Sequence, residues 1–291
     1  AISYLDKVKS ISEEFVFSIK EEYGWFLFAT GNFEEGELVY LELLNECKNL
    51  KDYARLNYVR IGSLASRARI FDSVNLGLEV LVKLGVTIPK SEEERGSLFF
   101  SEFGKILEYM QTHNVDDLLK LKPMQDDIQI IVQQILSRLL IPTILSAQIT
   151  LLGLLTCISI TRVIQFGSID LVAYAYALFA VTIISIKQDY QSGIEFGEIA
   201  IKTSQLYNNK ALMGGVFNTV GCITNHLKYP AVDNERLFLN SSKYCEESGN
   251  IFENVLSQGN MLWNKFYRGE NLNEILIYCN NYLALCKKYF V

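Results

Sequence analysis

Apolar residues recur along this chain at the three-to-four-residue spacing of a helix, one stretch after another, with polar or glycine-bearing turns between the stretches. Ile11, Phe15, Ile19, Tyr23, Phe26 and Ala29 share one side of a first helix expected over 3–30, and Gly31-Asn32 stops it. A partner follows over 33–50, with Leu38, Leu41, Leu44 and Cys47 as its apolar face. A second pair is expected at 51–68 and 72–84; Gly85 ends it, and Val86-Thr87-Ile88-Pro89 leaves in an extended segment. Ser91-Glu92-Glu93-Glu94 has the composition of a helix start and opens a helix to about 112. A short turn at 116–121 follows, then a helix from Pro123-Met124-Gln125-Asp126 to about 140. Pro142 is read as the break before a helix at 145–165, and Gly167-Ser168 as a turn. Three further pairs are expected at 169–186 with 192–207, 210–227 with 233–248, and 249–267 with 272–289. They bend at Gln188-Asp189-Tyr190, Lys228-Tyr229-Pro230 and Gly269-Glu270-Asn271. With four prolines and no alternating Val/Thr-rich run, the pattern predicts an all-α chain.

The pairs share a frame. Gly24, Phe33 and Gly36 have counterparts at Gly62, Phe71 and Val74, and Tyr190 with Gly193 occupies the same aromatic and small places later in the chain. A small residue lets paired helices approach, an aromatic plugs the bend, and a compact residue opens the second helix, which is the grammar of a helix-turn-helix repeat. The predicted fold is therefore an α-α superhelix, a right-handed solenoid of antiparallel helix pairs. The whole of 1–291 reads as a single array, with two repeats in 1–90, irregular central helices in 91–167 and three repeats in 168–291. Beginning at Ala1 and stopping inside a helical pattern at Val291, the sequence reads as a fragment of a longer chain.

Composition narrows the function classes. Hydrophobic residues make up 49% and charged residues 21%, which excludes a disordered chain. The net charge is −6 and the basic residues are dispersed, so no phosphate-tracking surface for nucleic acid is expected. Six cysteines occur without a CxxC pair and on apolar helical faces, which fits buried free thiols in a reducing, cytoplasmic compartment. From Leu139 to Thr161 no residue is charged, long enough for a membrane span. Pro142 and the scattered Thr143, Ser146, Gln148, Thr150, Thr156 and Ser159 favour instead a helical hairpin buried within the array, so no membrane partner is expected.

Candidate chemistry is sparse. The two histidines, His113 and His226, lie far apart and outside any metal-ligand spacing, so no metal is expected. Gly104-Lys105 lacks the rest of a phosphate loop, and Gly214-Gly215 sits in a helical pattern with no preceding strand, so no nucleotide cofactor is expected. Acidic pairs such as Glu13-Glu14 and Glu34-Glu35 read as solvated helix surface. His226 ends a helical stretch, where an imidazole meets orphan carbonyls and the helix dipole. The segment is thus expected to be non-catalytic.

In such an array the concave face, lined by the first helix of each pair, is where partners bind. Its positions are Ser18, Glu21, Trp25, Phe28 and Ala29 in the first unit, and Leu56, Val59, Ser63, Ser66 and Arg67 in the second. Trp25, Phe28 and Arg67 are the candidate partner-binding residues: two aromatic anchors for an apolar partner and a cation beside them. For Trp25 and Phe28 the competing reading is packing against a preceding helix.

The order of several short motifs carries a resemblance. These are Gly31-Asn32-Phe33-Glu34-Glu35; Leu78-Glu79-Val80-Leu81 with Leu84-Gly85-Val86-Thr87-Ile88-Pro89; Leu118-Leu119 through Pro123-Met124; Ala173-Tyr174-Ala175-Tyr176-Ala177; Asp189-Tyr190 with Gly197; His226 with Pro230; and Gly249-Asn250. Together they resemble the tetratricopeptide-like region of large bacterial, often cyanobacterial, multi-domain signalling ATPases. In those proteins a serine/threonine kinase or receptor precedes an AAA-type ATPase and this region, and GAF and histidine-kinase domains commonly follow. The resemblance spans essentially the whole chain. It departs where Gly36 and Gly193 replace alanine and where Leu227 replaces a tryptophan after the histidine. It implies a scaffold or regulatory module whose partners are other domains of the same polypeptide or signalling proteins; no kinase or ATPase residue is carried over, because those motifs are not in this chain. A peptide- or ligand-binding receptor repeat, and a membrane-associated helical protein using 139–161, are the alternatives.

Overall fold

A computed structural model of the chain describes residues 12–290, with side chains through Lys288. Among them every regular element is a helix. The expected start of the first helix at residue 3, with Ile11 on its face, lies outside the described residues. The helices are α1 (Glu13–Ala29), α2 (Phe33–Glu46), α3 (Leu50–Ser66), α4 (Ile70–Lys83), α5 (Glu92–Thr112), α6 (Asp127–Leu145), α7 (Ile149–Phe166), α8 (Val172–Lys187), α9 (Tyr190–Leu206), α10 (Lys210–Ile223), α11 (Asn234–Ser248), α12 (Ile251–Tyr267) and α13 (Leu272–Phe290). Short 3-10 turns occupy Val115–Lys120, Asn225–Leu227 and Ala231–Asp233. Polar caps start many of the helices: Ser12 accepts from the Phe15 N–H, Asn49 from Asp52 at 2.8 Å, and Asp126 from Ile128 at 2.8 Å. Gly85, at φ 84°, closes α4 in the left-handed conformation that a side chain would resist.

The helices gather into two compact units, one of Ala1–Gly96 with Gln125–Leu152, the other of Ser97–Met124 with Gly153–Val291. In the first unit α1 packs on α2 and α3, α2 on α3, α3 on α4, and α6 lies against both α3 and α4. Phe28, Tyr40, Leu43 and Leu56 form the core where α1, α2 and α3 meet, and Phe28 stacks on Tyr40 with ring centroids 5.2 Å apart. Two glycines permit that close approach: a Cβ on Gly24 would lie 2.8 Å from the Tyr40 ring, and one on Gly36 would lie 2.7 Å from the Phe28 ring. These are the small positions the sequence frame requires. Its second aromatic does not behave alike. Phe33 packs against the core, whereas Phe71 is 64% exposed, because α4 begins at Ile70 and turns Val74 and Gly77 inward instead.

The second unit repeats one packing rule. α8 packs on α9 and α10, α9 on α10, α10 on α11 and α12, α11 on α12, and α12 on α13. From α8 to α13 each helix thus meets its successor, and α10 meets both α8 and α12 as well. Buried serines stitch neighbours in both units: Ser73 donates to the Ile61 carbonyl at 2.9 Å, Ser241 to Gly214 at 2.7 Å, and Ser257 to Phe238 at 3.0 Å. Phe179 on α8 meets Phe196 edge-on at 4.6 Å and Phe103 of α5 at 5.5 Å. The stretch before α6 also pairs with the turn after α7: the Ser168 N–H donates to Lys122 at 2.8 Å and the Met124 N–H to Ser168 at 2.9 Å.

Pro142 does not break the chain where the sequence suggests. It lies buried inside α6, which runs on to Leu145. A proline inside a helix forfeits one hydrogen bond and costs about 3 kcal/mol. Against that, α6 buries Val132, Ile135, Leu136, Leu139 and Leu140 almost completely, at about 1.5–3 kcal/mol each. Packing wins. The true stop is Ala147, held at φ 55°, with the Gln148 N–H returning to the Thr143 carbonyl. The uncharged run is accordingly split between α6 and α7. Both helices are long and apolar enough by composition to cross a membrane, and about half of each is buried inside the protein.

Candidate partner-binding site

Trp25, Phe28 and Arg67 are not brought together as one exposed groove. Trp25 is 55% exposed on α1, but Phe28 faces the core of the first unit and is 9% exposed. The phase of α1 decides this: Leu27 and Phe28 lie on the buried face with Gly24, and Trp25 falls off it. Arg67 caps α3 and sets its guanidinium over the Phe33 ring at 5.1 Å, and Phe33 in turn lies 6.5 Å from Phe28. Arg67 therefore seals the rim of the α1–α2 core, and the Arg67 Nε is buried without a hydrogen-bond partner. Of the three expected residues, Trp25 alone is exposed as an anchor would be.

Two concave surfaces of the second unit border the α10–α11 pair. The larger is a groove of about 820 Å³. Its apolar floor includes Ile201 from α9, Phe217 and Val220 from α10, and Leu237 from α11. The link between α10 and α11 builds its rim. After Ile223 the chain makes two 3-10 turns, clasped by a 2.6 Å bond from the Asn225 amide to Asn234. Lys228 and Tyr229 project from that clasp; Lys228 pairs with Glu198 of α9 at 2.5 Å, and that hydrogen bond raises the lysine pKa. Beside them Lys202 pairs with Asp116 at 2.7 Å. Arg236 also lines the groove, and no ion pair reaches it among the described residues.

The smaller pocket, about 550 Å³, lies between α10, α11 and α12. Among its lining residues are the carboxamides Asn234, Asn260 and Asn264, the Cys222 thiol, His226, and the rings of Phe238, Trp263 and Tyr267. None of its side chains carries a fixed charge. Asn260 gives its amide to Asn218 at 2.9 Å, whereas the Asn264 Oδ1 is buried without a hydrogen-bond partner. Trp263, 58% exposed, and Tyr267, 80% exposed, stand at the rim with ring centroids 6.0 Å apart, and Phe266 joins them at 6.2 Å. A four-membered ion network fixes this wall: Glu235 of α11 binds Lys265 at 3.1 Å and Arg268 at 2.9 Å, and Glu270 holds both cations from the other side.

Behind the pocket Glu253 is 5% exposed, and burial pushes its carboxyl above the usual range against the opposing hydrogen bond to Asn218. Burial, then the nearby Glu253, pushes the Cys222 thiol up to about 12. Such a thiol stays protonated at neutral pH and is a poor nucleophile. Among the described residues no group of three or more histidine, cysteine or acidic side chains is placed to hold a metal ion. His113 stacks on Tyr109 at 4.2 Å, and His226 sits in the 3-10 turn before the bend, lining the pocket. Gly104-Lys105 and Gly214-Gly215 both lie within helices, where no phosphate loop forms.

Sequence reasoning missed this pocket because its walls come from three helices. One signal was legible: Asn260 and Asn264 are one helical turn apart, as are Trp263 and Tyr267. No known family profile matches the chain, and no curated protein matches it.

Proposed function

We propose that the chain is a non-catalytic helical-repeat module, of the tetratricopeptide-like superhelical kind, that holds a segment of a neighbouring domain or partner protein. The observation that carries this reading is the packing of α8 to α13, where each helix meets its successor and the first helices of successive pairs, α8, α10 and α12, meet in turn, beside a groove lined from three successive helices. A stack of hairpins that touches only near neighbours presents a long surface and no enclosed reaction centre. The groove has the mixed character of a protein-docking site: an apolar floor, charges at the rim held by ion pairs, and the arginine Arg236 left to meet an acidic group. The motif order supports placing the module in a multi-domain signalling ATPase, between an ATPase and output kinase domains.

The test starts from the full-length reading frame. The flanking domains, expressed separately, are titrated against the chain by calorimetry. We expect one of them to bind and Arg236→Glu to weaken it at least tenfold with no change in helicity. A reading frame with neither ATPase nor kinase overturns the signalling assignment, and flanking domains that all fail to bind overturn the scaffold reading.

A further inference from the structure

We infer that the pocket between α10, α11 and α12 is a docking site for an uncharged, extended peptide segment, whose backbone N–H groups are taken by Asn260 and Asn264 and whose side chain lies against Trp263. The inference rests on reading the chain as an interaction module and adds the chemistry of one bound segment.

Three observations carry it. The first is an acceptor without a donor: the Asn264 Oδ1 is buried and unpartnered. A buried carbonyl left that way is destabilising, and a bound donor removes the penalty. The second is spacing. Asn260 has given its amide to Asn218 and retains a carbonyl oxygen to accept with. It stands one turn before Asn264 on α12, a rise of about 6 Å. An extended chain advances about 3.3 Å per residue, so the N–H groups of residues i and i+2 point the same way about 6.6 Å apart. Two carboxamide acceptors one helical turn apart therefore match two alternate N–H donors of a strand laid along α12. The third is charge. The pocket offers no fixed charge to a phosphate or carboxylate, and its volume of about 550 Å³ admits a side chain with its adjoining backbone. Trp263, Phe266 and Tyr267, in mutual ring contact and largely exposed, supply the amphipathic surface that dominates peptide contacts.

The chain has two tryptophans, so Trp25→Phe leaves Trp263 as the sole reporter. Blocked hexapeptides (acetylated and amidated) of neutral residues are screened on an array, and the strongest is titrated against Trp25→Phe protein by fluorescence. We expect a saturable change in Trp263 emission, weakened at least tenfold by Asn264→Leu at an unchanged melting temperature. We also expect N-methylation of two alternate amides to abolish binding in one register and to spare it in the other. Binding indifferent to the register of methylation, saturation by adenine but by no peptide, or no saturation at all would overturn the inference. A flanking domain that still binds and still responds to Arg236→Glu while Asn264→Leu changes nothing would refute the pocket and leave the scaffold reading standing.

Discussion

Helices α8 and α1 have nearly the same length and opposite surroundings. Along α8, Val172, Ala173, Ala175, Tyr176, Ala177, Leu178, Phe179, Ala180 and Ile183 are all buried, so apolar residues clothe it on every side. On α1 only Gly24, Leu27 and Phe28 are buried, and Phe15, Trp25 and Phe26 are each 55% exposed. The difference teaches that hydrophobicity alone does not locate a core here: α1 is rich in aromatics, yet Phe15, Trp25 and Phe26 lie off the face that packs on α2 and α3. The same contrast holds for charge. Glu235 belongs to a network of four largely buried side chains, whereas the Lys48–Glu13 pair of the first unit is 80% and 90% exposed.

The comparison can be broken at several depths. Phe179→Ala removes a ring that is 0% exposed and touched by two others, and should cost about 3–5 kcal/mol, read as a lower urea midpoint at unchanged slope. Phe28→Ala should fall at the low end of that range, about 3 kcal/mol, because part of its ring reaches the rim. A larger loss for Phe28 than for Phe179 would contradict the contrast. Next comes pH. The Arg268 hydrogen bond, with help from Lys265, holds the Glu235 carboxyl below its ordinary 4.5, against burial. A carboxylate with a depressed folded pKa stabilises the fold above its unfolded value, and the contribution disappears as pH falls from about 4.5 through the folded pKa. Glu235→Gln should therefore flatten the acid limb of a melting-temperature profile, and Glu13→Gln, where the carboxyl is held low only by the solvent-screened Lys48, should flatten it far less. Smallest of all, Trp25→Ala should shift stability by no more than about 0.5 kcal/mol. A larger cost would mean that Trp25 is covered.

Much of the secondary structure was legible because its punctuation is local. Asn32, Gly85, Asp189 and Gly269 end or begin helices through their own backbone preferences, and a reader of sequence sees them directly. Pro142 misleads because its local penalty is outweighed by the burial of its helix, which no neighbouring residue announces. Phe28 and Trp25 are grouped by a repeat frame that gives position but not the facing of the next helix. The pocket around Asn264 was illegible for a related reason: Asn234, Asn260 and Cys222 come from separate helices, and only packing brings them to one wall.

The first unit is sewn from two stretches of chain, Ala1–Gly96 and Gln125–Leu152, with part of the second unit running between them in sequence. On the ribosome this order has a cost. When Gly96 has emerged, the flank of α4 where Leu139 will cover Gly77 is still bare, and it stays bare until α6 has been synthesised. A nascent chain stalled anywhere in that interval displays a greasy seam to chaperones. A truncation after residue 96, which keeps both early hairpins, should for that reason come out sticky and poorly soluble.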